Sequence, residues 1–128
     1  MGMRKGAVLA VTMMAVAAPV LAQSGWRPIG STRSDPAASS VTITAREDGT
    51  YREYMICTED GLARLNDAVV HYRDNRIMTT RIRARIADGA CSRAATLGGR
   101  DRTIATVEIG YDPASLQGAR PKLQLYVR

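Results

Sequence analysis

The chain has 128 residues with 18 Lys and Arg against 12 Asp and Glu, and Arg4 and Lys5 fall inside a leader of 22 residues, so residues 23–128 carry a net charge of +4. That length is one domain with a core of its own. One His and two Cys are too few for a zinc site built from several Cys and His ligands, and no apolar run after the leader approaches the length of a membrane span.

Residues 1–5 carry two cations, residues 6–18 are apolar, and Val20 and Ala22 supply the small side chains that signal cleavage requires before Gln23. About 13 apolar residues are too few to cross a bilayer, so the segment reads as a removable export signal (1–22) preceding a single domain (23–128). The expected location is periplasmic or secreted. No Cys follows Ala22 to accept a lipid.

Downstream, turn signals recur at Asp48-Gly49, Asp60-Gly61, Asp74-Asn75, Asp88-Gly89, Gly98-Gly99 and Asp112-Pro113. That rhythm predicts a meander of short strands, because Gly and Asn adopt the positive φ of tight hairpins at little cost. The first strand opens near Trp26, and residues 31–40, poor in apolar side chains, read as a loop. Strands follow over 41–44, 51–57 and 68–73. In the last of these His71 shares a face with Val69 and Arg73, opposite Ala68, Val70 and Tyr72. Over residues 80–87, Ile82, Ala84 and Ile86 alternate with Arg81, Arg83 and Arg85, which predicts one buried and one wet face. Ala105, Val107, Ile109 and Tyr111 alternate with Ile104, Thr106 and Glu108, and Leu123, Leu125 and Val127 with Lys122, Gln124 and Tyr126. No stretch beyond the leader carries a helical stripe. The expected fold is all-β: a single antiparallel β-sandwich, or a partly open barrel, of about eight or nine short strands. Phe is absent, so Ile, Val, Leu and Ala with a few Tyr and Trp26 must fill the core.

Cys57 and Cys91 are expected to pair, since two thiols in an exported chain enter an oxidising compartment. The spacing is not that of a redox-active Cys-x-x-Cys, which leaves the bridge a structural role.

The segment Gly25-Trp26-Arg27-Pro28-Ile29-Gly30, together with Ser92-Arg93 followed by Leu97, Gly99, Arg102, Ile104, Val107 and Tyr111, resembles an uncharacterised family of small exported bacterial domains. Those domains open with Gly-Trp-x-x-Leu-Gly and later carry a Ser-Arg, an aliphatic-Asp-Leu, a Gly and an Arg-x-Ile reaching a Tyr. Here Ala95 stands in place of the branched aliphatic and Thr96 in place of the Asp. The resemblance implies a compact β-rich fold and no particular activity. It gives Arg93 and Arg102 either a bracing role or a ligand contact.

A serine nucleophile needs a base, and His71 is the one imidazole, with no Gly-x-Ser-x-Gly elbow anywhere in the chain. Neither a catalytic residue nor a metal or other cofactor is assigned. Glu53, Glu59, Asp60, Asp67 and Glu108 are the acids to test for a facing pair, with Glu108 first because it lies mid-strand. The cations are the conspicuous group: 15 Arg against one Lys after the leader. Guanidinium binds phosphate, sulfate and carboxylate in a fork, and Arg81, Arg83 and Arg85 at period two, with Arg100 in a nearby loop, form a candidate anion-binding set. The competing role of these three is to guard a sheet edge. The expected function is a non-catalytic binding module of the cell envelope, whose partner is an anionic polymer or an envelope protein. Nucleic acid is not an expected partner, for lack of an aromatic-basic reader motif. A small hydrolase or lyase using carboxylates and Arg, and a protein-binding inhibitor or stress factor, are the alternatives.

Overall fold

A computed structural model describes residues 25–98 and 102–128. The expected export signal and cleavage point, with Gly99 and Arg100, lie outside the described residues. Two four-stranded antiparallel sheets stack face to face, and they do not close into a barrel. One contains β1 (Arg27–Arg33), β8 (Lys122–Val127), β3 (Glu53–Glu59) and β6 (Ala95–Thr96) in that order. The other contains β2 (Ser40–Thr44), β7 (Ile104–Tyr111), β4 (Ala63–Tyr72) and β5 (Ile77–Ile86). A single 3₁₀ turn, Pro113–Leu116, starts at Asp112, whose carboxylate accepts from the Ala114 N–H at 3.0 Å.

The chain is not a meander. Only β4 and β5 are both consecutive and paired; elsewhere the chain crosses from one sheet to the other. Turn spacing reports strand length, whereas the partner of a strand is chosen by the face it must bury. The loop expected over 31–40 is shorter, because Ser31, Thr32 and Arg33 continue β1 against Gln124, Leu123 and Lys122.

Alternation explains most of the core. Leu123, Leu125 and Val127 are fully buried, as are Ile43, Ile56, Val107 and Ile109, and Tyr54 and Tyr111 are the largest side chains inside. Each such burial contributes roughly 1.5–3 kcal/mol. Three bulges disturb the pattern. In β1 an extra residue at Ile29 turns both Ile29 and Gly30 inward. In β7 the shift between Tyr72 and His71 reverses the expected faces: Ile104 is buried and Ala105 is half-buried. In β4 the buried series Ala63, Leu65 is followed by Ala68, Val70, Tyr72, a change of phase at Asn66 and Asp67. Trp26 is buried outside the inter-sheet core, in a separate cluster with Met55 and the disulfide on the outer face of the first sheet, and Arg128 stacks on its ring at 4.6 Å.

Cys57 and Cys91 are joined. Beside them Ser92 extends the pairing: its Oγ accepts from the Ile56 N–H at 2.9 Å and its N–H donates to the Ile56 carbonyl at 2.8 Å. The sandwich is tightly closed along β1 and β2. There the Arg46 N–H donates to the Ile29 carbonyl at 2.7 Å, and a Cβ on Gly30 would lie 2.5 Å from the Thr44 carbonyl oxygen and 2.7 Å from Ile43 Cγ2. Gly30→Ala is therefore expected to destabilise the fold by about 1–3 kcal/mol, since backbone blocks the added methyl. Cys57→Ser should cost about 4 kcal/mol for a bridge 34 residues apart. Urea unfolding of each variant measures both, and an unchanged midpoint for either contradicts the corresponding account.

Candidate functional site

The outer face of the second sheet gathers the cations. Arg64 on β4 lies directly opposite Arg85 on β5, and Asp67 lies opposite Arg81. Between these pairs β5 holds one residue more than β4, and Arg83, in that stretch, has φ 44°. A left-handed backbone is costly for a side chain with a Cβ, of order 1 kcal/mol, and such conformations gather where a bulge aims a side chain. The bulge also interrupts the even ladder expected for Arg81, Arg83 and Arg85.

What results is a pair of shallow concavities with Arg64 at their junction. Arg64, Asn66, Asp67, Arg81 and Arg83 line one of about 440 Å³. Arg64, Arg85 and residues of the 3₁₀ turn line another of about 300 Å³. The turn fixes Arg64 through its backbone: the Arg64 N–H donates to Ser115 Oγ at 2.9 Å, Ser115 Oγ donates to the Asp112 carbonyl at 2.6 Å, and the Asp112 N–H donates to the Arg64 carbonyl at 3.0 Å. Asp67 is seated over Gly110, where a Cβ would fall 2.6 Å from its Oδ1. The Arg64 and Arg85 guanidinium groups are exposed like charges on facing residues, an arrangement that costs a few tenths of a kcal/mol in the absence of a counter-charge.

None of Arg64, Arg81, Arg83 and Arg85 has a salt-bridge partner among the described residues, while seven ion pairs form elsewhere. Three of the candidate acids are used in those pairs: Glu53 with Arg128 at 2.8 Å, Asp60 with Arg33 at 3.0 Å and Glu59 with Lys122 at 3.9 Å. Asp67 and Glu108 share the outer face on neighbouring strands, Asp67 opposite Gly110 and Glu108 opposite Val69, but Glu108 does not line the concavity that Asp67 does. His71 is half-buried on the same face, opposite Thr106 and Ile77. No group of three His, Cys, Asp or Glu side chains is arranged to hold a metal among the described residues.

A third concavity, of about 380 Å³, lies on the side of the sandwich away from β1 and β2, between residues 80–84 of β5 and residues 93–95. Arg93 is exposed there and has no salt-bridge partner among the described residues, whereas Arg102 is half-buried, 3.4 Å from Asp74 and stacked 5.6 Å over the Tyr72 ring. The structure thus separates the two arginines: Arg102 braces a turn, and Arg93 is left without an ion pair among the described residues. Tyr54, paired with Ala95 in register, has a fully buried hydroxyl without a hydrogen-bond partner among the described residues. Burial raises its pKa above the ordinary tyrosine value, and the Thr80 side chain pulls the other way without meeting it in a well-formed hydrogen bond.

Arg64 escapes a reading by alternation, because period two starts that strand at Ala68. Arg93 stands out in the sequence only as a motif residue.

Residues 7–127 match a domain of unknown function, DUF2541, and the chain belongs to that family. No curated protein and no solved structure matches the chain. Among the described residues no helix is long and apolar enough to cross a membrane.

Arg83→Gly removes one guanidinium while relieving the left-handed backbone, so it should raise stability by about 0.5–1 kcal/mol or leave it unchanged. Retention on an anionic resin should fall in the same variant. Thermal unfolding and salt elution measure the two effects, and a variant less stable than the parent contradicts the backbone argument.

Proposed function

We propose that this protein is an exported, non-catalytic binding module of the bacterial cell envelope, periplasmic or secreted after loss of its leader, that holds anionic polymers on the arginine face of β4 and β5. The observation that carries the reading is the Arg64, Arg81, Arg83 and Arg85 set: four exposed guanidinium groups, two of them directly opposed, with no acid spent on any of them among the described residues. An extended polyanion supplies the missing counter-charge at several points at once, and planar guanidinium groups take phosphate, sulfate or carboxylate in paired hydrogen bonds. The Cys57–Cys91 bridge fits an oxidising compartment.

A carboxylate hydrolase finds less support. Each of the two concavities on this face is lined by a single acid, Asp67 in one and Asp112 in the other, so neither offers a facing pair for acid–base work.

The triple variant Arg64→Gln, Arg81→Gln, Arg85→Gln should keep the fold, because these side chains point into solvent, and should lose retention on lipopolysaccharide or anionic-polysaccharide resin. Parent retention should weaken steeply with salt, since each polyanion contact releases counterions. Arg27→Gln, Arg33→Gln, Arg46→Gln is the charge-matched control. In the parent, Arg27 and Arg33 are already engaged by Glu47 and Asp60. Equal losses in the two triple variants would reduce the effect to net charge and overturn the reading.

A further inference from the structure

The two long sides of the sandwich are unlike. Along β1 and β2 the sheets are joined by a backbone hydrogen bond and Ile29 and Ile43 are sealed. On the other side, where β5 and β6 are the outermost strands of their sheets, the link lies beyond the end of β5: the Gly89 N–H donates to the Thr58 carbonyl and the Thr58 N–H to the Ala90 carbonyl, both at 3.0 Å, while among the described residues no backbone hydrogen bond joins residues 77–86 to the first sheet. The core-facing residues of β4 are essentially inaccessible, from Ala63 and Leu65 at 0% to Tyr72 at 3%. Their neighbours on β5, Met78, Thr80, Ile82 and Ala84, are only half covered. The core is therefore open along one edge. Beneath that edge lies the Tyr54 hydroxyl, without a hydrogen-bond partner among the described residues, and at its outer end Ile77 is 62% exposed.

From this edge we infer that β5 accepts an extended acidic peptide segment of a partner protein as an added antiparallel strand beside residues 77–81, one end of it entering at Thr80 and Arg81 the groove that faces Arg93. The inference rests on the anion-binding reading of Arg81 and Arg83 and extends it to a second kind of ligand at the neighbouring edge. An edge strand offers a row of unpaired N–H and C=O groups, and main-chain pairing with an incoming strand supplies affinity while side-chain positions supply choice. The bulge at Ile82 and Arg83 ends regular pairing, so the incoming strand pairs along residues 77–81, the stretch of β5 that runs in unbroken register with β4. Alternate side chains of the visitor then cover Met78 and Thr80 on the inner side. On the outer side they meet Ile77, Thr79 and Arg81, while Arg93 across the groove supplies a second cation.

Charge decides among possible occupants. Two copies of this chain pairing residues 77–81 antiparallel would set Arg81 of each against Ile77 of the other and leave both cations without a counter-charge. A strand carrying Glu or Asp supplies that charge.

The test uses the exported protein and a fluorescein-labelled peptide of alternating Glu and Val, followed by anisotropy. Two companion peptides replace Glu with Lys or carry N-methyl groups on alternate residues, which preserves charge and removes backbone donors. The Glu peptide should bind, the other two should bind at least about tenfold more weakly, and amides of residues 77–81 should gain protection from hydrogen exchange. Arg93→Glu should weaken peptide binding while leaving retention on anionic polysaccharide intact. Arg64→Gln with Arg85→Gln should do the reverse. Equal binding of the N-methylated or Lys peptide, or no binding of the Glu peptide, overturns the inference. If polysaccharide retention survives that failure, the anion-binding reading stands; if it is lost in the parent as well, both fall.

Discussion

Strand β4 is hydrogen-bonded on both sides, to β7 and to β5, so any change in its phase is imposed on the whole sheet. It changes phase once, at Asn66 and Asp67, and both neighbours respond at the same level. Tyr111 and Gly110 on β7 face Leu65 and Asp67, one partner residue fewer than β4 supplies, while β5 supplies one more. The shift lets Leu65 and Ala68, three apart, both point inward. It also collects Arg64, Asp67, Arg81 and Arg83 around one point of the outer face. Gly110 belongs to the same adjustment, because the Asp67 carboxylate occupies the space a side chain there would need. Core packing and the charged face are thus consequences of one irregularity.

Strands with unbroken alternation were legible from the sequence. Leu123, Leu125 and Val127 read as inward and are inward, and so are Ala68, Val70 and Tyr72. Legibility failed wherever a bulge inserted a residue. Ala63 and Leu65 were not joined to the strand beginning at Ala68, since the three-residue step between Leu65 and Ala68 breaks period two. Ile104 and Ala105 exchanged faces for the same reason. Nothing in the identity of Arg83 announces a positive φ, which Gly or Asn would have done. Sheet order was equally hidden, because it depends on contacts between residues far apart in sequence. Of the candidate anion-binding arginines, Arg81, Arg83 and Arg85 do share the outer region of one strand, but their grouping with Arg64 required the register.

The residues on which the sequence resemblance rests are mostly architectural here. Tyr111 holds the loop after β1 by both backbone groups of Asp35, donating to its carbonyl at 2.7 Å and accepting from its N–H at 2.9 Å. Ser92 serves Ile56 in the same double fashion, and Leu97, Ile104 and Val107 fill the core. Arg93 is exposed and has no ion pair among the described residues, unlike Ser92 beside it, which is buried and bonded to Ile56.

The position of β8 has a consequence for the order in which the protein can form. It is the last strand of the chain, yet it lies inside the first sheet, with β1 on one side and β3 on the other. Neither β1 nor β3 can complete its pairing until residues 122–127 are in place, and those contacts join segments far apart in the sequence, the kind of topology that folds slowly. Until β8 docks, β1 and β3 have no neighbour in common, so the first sheet gains its middle only when distant stretches of the chain meet.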